Sequence, residues 1–203
     1  MNTTQKVTVL LSVAAAMALA NHGLAAEAFI RPTIFYVEPA TDGFKSATGY
    51  GVAGGVCFGS GENHEVSIEW DYVKWDFHLT VSPGVDLASW YEKFMPVMVN
   101  YRYYVAGTEE LKNVRFYIGP SAGMTRSEFG GTLSGVGSTS DSKWTFSWGG
   151  SVGFVVKLAK RVDLDIGYRY IKIQGGTYHF EGLPVRFEDS HANVFYGGIG
   201  IRF

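Results

Sequence analysis

Phe195-Tyr196-Gly197-Gly198-Ile199-Gly200-Ile201-Arg202-Phe203 closes the chain, and its residues alternate in character one by one. In an extended backbone successive side chains point to opposite faces. Phe195, Ile199, Ile201 and Phe203 therefore share one face with Gly197, while Tyr196, Gly198, Gly200 and Arg202 share the other. The stretch has the length of a strand that crosses a bilayer, which takes about 9–11 residues. An alternating strand that ends on an aromatic carboxylate predicts a barrel strand with one face in lipid and one in a lumen.

Seven further segments carry the same period. They are predicted at 29–37, 48–58, 65–75, 93–104, 114–125, 143–158 and 162–170, with the last at 191–203. The clearest is Val162, Leu164, Ile166, Tyr168 and Tyr170 against Asp163, Asp165, Gly167 and Arg169. Val66, Ile68, Trp70 and Tyr72 likewise oppose Glu65, Ser67, Glu69 and Asp71. In the fifth segment Phe116, Ile118, Ala122 and Met124 are expected outward, and Gly119-Pro120 leaves a bulge open. Pro32 in the first segment is expected near an edge or a bulge, because proline has no N–H for the ladder. Connections alternate in length: short at 59–63, 106–113 and 159–161, long at 38–47, 76–90, 126–142 and 174–190. The Gly/Ser/Thr-rich stretch 130–142 is expected to be a mobile loop. Short turns on one rim and long loops on the other are the habit of outer-membrane barrels, and an even strand count puts both termini on the short-turn side.

At the other end, Val7 to Ala20 is apolar, follows Lys6 and leads into small residues. Such a segment reads as a secretory signal rather than a spanning helix. Cleavage is expected between Ala25 and Ala28, giving a signal peptide at 1–26 and a barrel domain at 27–203. Net charge is −2, a balance that argues for no nucleic-acid partner. Cys57 is the only cysteine, so no disulfide framework or cysteine-built zinc site is expected. It reads as a small inward space-filler. The 26 glycines and 15% aromatic content suit a narrow, tightly curved sheet with aromatic rims.

Alternation also fits a soluble lipocalin-type barrel with its apolar face inward. Three features favour lipid outside. The polar face is crowded with Gly, Ala and Ser, as a cramped lumen requires. Trp70, Tyr72, Trp75, Trp90, Tyr101, Tyr103, Trp144, Tyr168 and Tyr170 lie near strand ends, where headgroups favour amphipathic rings. Glu69, Asp71, Arg102, Arg115, Lys157, Asp163, Asp165, Arg169 and Arg202 recur on the polar face and are expected to pair across the interior, because an unpartnered buried charge is costly.

The segments Asp163–Tyr170, Pro96–Tyr104 and Phe195–Phe203 resemble the small outer-membrane β-barrel superfamily, which includes opacity-type adhesins, the OmpX/Ail type and the OmpA transmembrane domain. The resemblance covers the whole mature chain. It implies an all-β, eight-stranded antiparallel up-and-down transmembrane barrel in the bacterial outer membrane, with a salt-bridged interior. It also implies that the strand ending in Phe203 is read by the barrel-assembly machinery. No peptidoglycan-binding domain follows, so an OmpA-type anchoring role is not implied.

The function expected is structural or adhesin-like, in a monomer whose loops meet the outside and whose wall meets lipid and lipopolysaccharide. Phe44, Phe77, Leu79, Val85, Leu87, Phe129, Tyr178, Phe180, Leu183 and Phe187 give the loops apolar character, fitted either for a host or surface ligand or for packing on one another. Arg126, Lys143 and Arg186 are expected near lipid phosphates. The alternative is an OmpW-like narrow channel for small hydrophobic molecules. Gly49, Gly51, Ala53 and Gly55 would leave room for it unless Met98, Tyr104, Tyr117 and Tyr196 fill the space. A lipid A-modifying enzyme is the weakest reading. His191-Ala192-Asn193 has Asn where a deacylase-type pair needs Ser, and His64 has no Ser two residues on. His78, Ser82 and Asp86 share a loop without any mark of a triad, and His179 with Glu181 lacks further metal ligands. No catalytic, cofactor or metal residue is assigned, and no cofactor is expected.

A membrane-extracted barrel of this kind should change mobility on a denaturing gel between unboiled and boiled samples. Absence of that shift, with the protein released in the periplasmic fraction, would favour the soluble inside-out barrel.

Overall fold

A computed structural model describes residues 26–39, 46–59, 61–82, 85–105, 113–133, 137–180 and 183–203; the side chains of 78–88, 133, 137, 180, 183 and 185 lie outside the description. The strands are β1 (Glu27–Pro39), β2 (Ala47–Phe58), β3 (His64–Ser82), β4 (Val85–Val105), β5 (Val114–Leu133), β6 (Gly137–Ala159), β7 (Val162–Ile173), β8 (Gly176–Phe180), β9 (Leu183–Phe187) and β10 (Ser190–Arg202). Eight of them close an antiparallel barrel in the order β1-β10-β7-β6-β5-β4-β3-β2, while β8 and β9 pair only with each other. Closure leaves no sheet edge unpaired, which a lipid-embedded sheet requires. The last ladder pairs β1 with β10, from Phe29 opposite Arg202 to Pro39 opposite Ala192.

The faces divide as lipid demands. Ile34 is 73% exposed and Ile118 60%, both on the outer wall, whereas Arg102 and Arg169 are 2% exposed and Asp165 0% on the inner one. A soluble barrel would reverse that assignment, because charged side chains are almost never fully buried unless paired. On the outer wall the apolar band ends upward at Glu38, Lys74, Lys93, Arg126 and Lys172, each on the outward phase of its strand. Lys74–Asp76 (2.6 Å), Lys93–Glu128 (2.8 Å) and Lys172–Asp189 (3.1 Å) are ion pairs at this level. This charged ring marks the headgroup boundary on the long-hairpin, outer rim.

The lumen is filled from the short-turn rim to mid-height by charged side chains that meet across it. Arg31 grips Glu65 with two guanidinium N–H groups, at 3.1 and 2.8 Å. Its Nη1 also lies 3.2 Å from Asp165. Arg102 donates to Asp165 at 2.7 Å and to the Tyr196 hydroxyl at 3.2 Å. The Tyr104 hydroxyl donates to Glu65, and Tyr117 donates to Asp165 at 2.7 Å. One level up, Arg169 bridges Glu69 and Asp71, with Asn100 donating to Glu69 at 2.9 Å. Near the short-turn rim Arg202 joins Asp163, Glu27 and Glu62. Arg115 reaches the Glu62 carboxylate at 3.5 Å.

The inward glycines are occupied space, not cavity. A Cβ at Gly51 would lie 2.0 Å from the Asp71 carboxylate, and one at Gly153 2.3 Å from the Tyr117 hydroxyl. Gly49 is faced by Phe35, Gly51 by Asp71 and Thr33, and Gly55 by Ser67, so neighbouring side chains take up the space at these positions. Cys57 is buried and inward, as expected, with Sγ 4.0 Å from Glu65.

Several expectations need correction. In the long segments 76–90 and 126–142 the described residues are not loops but continuations of the hairpins. β3 and β4 stay paired to Ser82–Val85, and β5 and β6 to Leu133–Gly137. Backbone groups that leave the barrel still need partners, and extending the ladder supplies them. The described part of 130–142 is therefore paired strand. Trp75 and Trp90 are not lipid-facing girdle residues: they continue the inward phase of β3 and β4, opposite Glu92 and Phe77. Lys157 does not pair in the lumen; it is exposed beside the bulge between Lys157 and Ala159. Pro32 sits at neither edge nor bulge. The β1–β10 register is the same at Ile30–Ile201 and Thr33–Gly198, so the ladder merely skips the missing N–H. Gly119-Pro120 holds register with β6 and shows no bulge.

Arg102→Ala should cost about 3–5 kcal/mol, because it leaves Asp165 and Glu65 short of a buried partner. The check is a fall in the temperature at which the heat-modifiable form is lost. An unchanged temperature would mean that the other arginines already neutralise those carboxylates.

Candidate functional site

Above the arginine lattice the lumen changes character. The inward phases of β1, β3, β7 and β10 now carry Phe35, Val37, Val73, Trp75, Ile171 and Val194, all buried. They border a cavity of about 240 Å³ in the outer half of the barrel. Its floor is Asp71, the uppermost carboxylate of the lattice, and its wall reaches exposed Gln174, Glu188, Asp189 and His191 at the outer rim. The cavity is blind below: the paired arginines and tyrosines stand between it and the periplasmic rim.

An aromatic chain roofs one side. Trp75 meets Phe94 edge-on at 5.5 Å, Phe94 meets Phe129 at 6.1 Å, and Phe129 stacks on Phe187 at 4.5 Å. Tyr178 packs on both Phe129 (4.7 Å) and Phe187 (5.1 Å). Tyr178 and Phe187 belong to the β8–β9 hairpin, which folds inward over the mouth. The hairpin is anchored by the His179 N–H donating to Asp141 at 2.8 Å and the Gly175 N–H donating to Asp189 at 3.0 Å. Of the apolar loop residues singled out in the sequence, Phe129, Tyr178 and Phe187 thus pack on one another. Phe77 stacks on Trp90 at 5.6 Å on the lumen-side face of its hairpin. Phe44, and the side chains of Leu79, Val85, Leu87, Phe180 and Leu183, lie outside the described residues.

Glu92 is the group that sequence reasoning missed. It is 3% exposed, lines the cavity, and has no hydrogen bond or ion pair among the described residues. It stands one residue from Lys93 of the charged ring, outside the membrane-spanning part of β4. Burial among apolar side chains pushes its carboxyl up to about 8. The signal was present in the inward phase Glu92, Pro96, Met98, Asn100, Arg102. It was hidden because the strand was expected to begin at Lys93.

The histidines are engaged otherwise. His64 stacks on Phe58 at 5.3 Å, and its Nδ1 lies 2.8 Å from the Tyr101 hydroxyl. His191 faces the Tyr170 ring at 5.8 Å, and Asn193 accepts from the Tyr168 hydroxyl at 2.7 Å. The side chains of His78, Ser82 and Asp86, and all of Glu181, lie outside the described residues. Arg126 donates to Ser142 at 3.3 Å on the outer rim. Lys143 and Arg186 are exposed above it.

An outward apolar band, a charged lumen and long outer hairpins are matched by a family model over residues 7–203. The chain belongs to the outer membrane protein beta-barrel domain family. Its place is the bacterial outer membrane. Among solved structures it is similar to Neisserial surface protein A, at 16% identity and TM-score 0.57, covering 88% of this chain and 99% of that one. It is similar to Ail, the attachment invasion locus protein of Yersinia pestis, at 17% identity and TM-score 0.54, covering 88% and 97%. It is also similar to OprG from Pseudomonas aeruginosa, at 16% identity and TM-score 0.50, covering 88% and 96%. At these identities the likeness is one of fold. No curated protein matches in sequence.

Glu92 dictates a pH dependence. The folded barrel holds its proton to about pH 8, whereas the unfolded chain releases it in the ordinary carboxylate range. Its contribution is fully favourable below the unfolded value and is lost as pH rises through the folded one. Glu92→Gln should match the parent near pH ~4 and exceed it near pH ~9 by a few kcal/mol, at about 1.36 kcal/mol per unit of difference. Urea unfolding in lipid vesicles at the two pH values measures this. Equal stability at the higher pH would mean that the carboxylate finds a partner when it ionises.

Proposed function

We propose that this protein is a non-conducting, non-enzymatic outer-membrane barrel whose working part is its outer surface, where the extended hairpins meet ligands outside the cell. The observation that carries this reading is the division of the molecule at mid-height. Buried ion pairs obstruct the lumen, which leaves no aqueous path for solutes. The β3–β4 and β5–β6 hairpins rise above the charged ring as paired strands, which is stiff backbone to present to a partner. Ail, on the same fold, has been crystallised with the heparin analogue sucrose octasulfate, so a heparin-coated surface is a natural first probe.

Three further expectations belong to the same reading. Residues 1–26 act as the export signal and 27–203 as the barrel domain. The barrel-assembly machinery engages β10 through Phe203, whose N–H donates to the Ala28 carbonyl at 2.9 Å and whose ring is largely exposed. The barrel works as a monomer in lipid and lipopolysaccharide, with Lys93, Arg126 and Lys172 at headgroup height.

The apolar outer cavity favours a second reading, an OmpW-like route for small hydrophobic molecules. Its blind floor means that such a route would have to leave sideways through the wall. The β1–β10 ladder, where β10 closes the barrel, is in continuous register and offers no ready gap.

Cells displaying the protein should be retained several-fold better than bare cells on the heparin-coated surface. Replacing residues 78–89 by an Asn-Gly turn, which keeps Phe77 opposite Trp90, should remove the gain while the gel-mobility shift persists. Discrete conductance steps in planar bilayers, with no retention on the heparin-coated surface, would overturn the surface reading in favour of a channel.

A further inference from the structure

The outer cavity combines three properties that point to one chemistry. Its walls are apolar and aromatic. Four carboxylic residues, Asp71, Glu92, Glu188 and Asp189, line it, and among the described residues no lysine or arginine does. Asp189 is paired with Lys172 at 3.1 Å, and Asp71 shares Arg169 with Glu69, at 3.2 Å from Asp71. Glu92 is not: it is buried, faces the cavity and has no partner among the described residues. A buried polar group without a partner is costly, so its retention in an otherwise apolar wall calls for something that completes it.

We propose that this cavity is a receptor site for a small organic amine with an apolar body, its ammonium group paired with Glu92 and its body against Trp75, Phe94 and Phe129. The volume, about 240 Å³, is at the small end for ligand pockets and suits a single ring or a short branched chain. The charge balance of the lining excludes anions. The aromatic faces add attraction for a cation that a neutral molecule would not receive. An amine that enters as free base takes the Glu92 proton, and one that enters as ammonium displaces it. The end state is the same charge-assisted pair. The Phe129–Phe187–Tyr178 cluster lies above the site, so the β8–β9 hairpin is the element an entering ligand meets. The inference is independent of whether the hairpins bind a surface ligand.

Benzylamine and benzyl alcohol, nearly the same in shape, are the probes. They are titrated into the full-length barrel in lipid nanodiscs while the ¹⁵N-indole resonance of Trp75 is followed. Benzylamine should give a saturable one-to-one shift, at least about tenfold tighter than the alcohol. Glu92→Gln should reduce benzylamine to the level of the alcohol while keeping the heat-modifiable gel shift. A second variant, Phe129→Ala, should weaken both probes alike, because it removes wall and leaves the charge. Equal binding of amine and alcohol to the parent, undiminished benzylamine binding by Glu92→Gln, or no saturable shift with either probe would each overturn the proposal.

Discussion

A closed eight-stranded lumen has no room for bulk water, so every charge placed there must be neutralised by another side chain. That constraint organises the molecule. Asp165 accepts from Arg102 and Tyr117 and sits beside Arg31; Glu65 accepts from Arg31 and Tyr104. These contacts join β1, β3, β4, β5 and β7 across the interior, with Arg31 and Asp165 lying 134 positions apart in the chain. Hydrogen bonds along the wall fix each strand only to its neighbours. The lattice fixes strands that never touch, so it sets the cross-section of the barrel. Its energetic sign follows from completeness: a buried ion pair is worth little over an apolar filling, but removing one member leaves an uncompensated charge. The lattice therefore acts as a specification of one geometry more than as a source of stability.

The small residues are the counterpart of that lattice. Tyr117 reaches its partners only because Gly153 and Gly167 offer no side chain beneath its hydroxyl; a Cβ at either would lie within 2.4 Å of it. Tyr196 meets the same Gly167. The glycine-rich inner face is thus a mould for tyrosine and arginine, and a high glycine count is no sign of an open pore. The same principle separates this barrel from a soluble ligand carrier. There the inner face must be apolar to hold a ligand along its length; here it is apolar only above Asp71.

Much of this was legible in the sequence because period two survives wherever one wall faces lipid. The inward set of β3, the facing of β5 and the whole of β7 follow from alternation alone. The buried positions of Met98, Tyr104, Tyr117 and Tyr196 follow from the same phase. What was not legible lies where lipid no longer enforces the contrast. Above Lys74 and Lys93 both faces of β3 and β4 become mixed, so the pattern fades although the hydrogen-bonded ladder runs on. For that one reason alternation alone reads the hairpins as loops, and Trp75 and Trp90 as girdle residues. Arg31 was missed because Pro32 interrupts the strand signal beside it, while the closed ladder tolerates a single absent N–H. The β8–β9 hairpin lies outside the barrel ladder and carries no lipid-facing alternation. Only its contacts with Asp141, Asp189 and Phe129 reveal it.

The same fading explains why the outer cavity can carry an unpaired acid. Within the lipid band an ionisable side chain on the inner face has arginines at its own level and is drawn into the lattice. Glu92 stands just above the highest of these, Arg169, and beside Lys93, whose ammonium points to the other face and is taken by Glu128 at 2.8 Å. Strand geometry therefore denies Glu92 the nearest cation, since neighbours one residue apart never share a face. Relocating that lysine by one position would neutralise the acid and fill the cavity. Instead the inner phase at this height holds Trp75, Phe94 and Phe129, and the acid is left without a cation in a largely apolar chamber. A chamber so arranged discriminates by charge before it discriminates by shape.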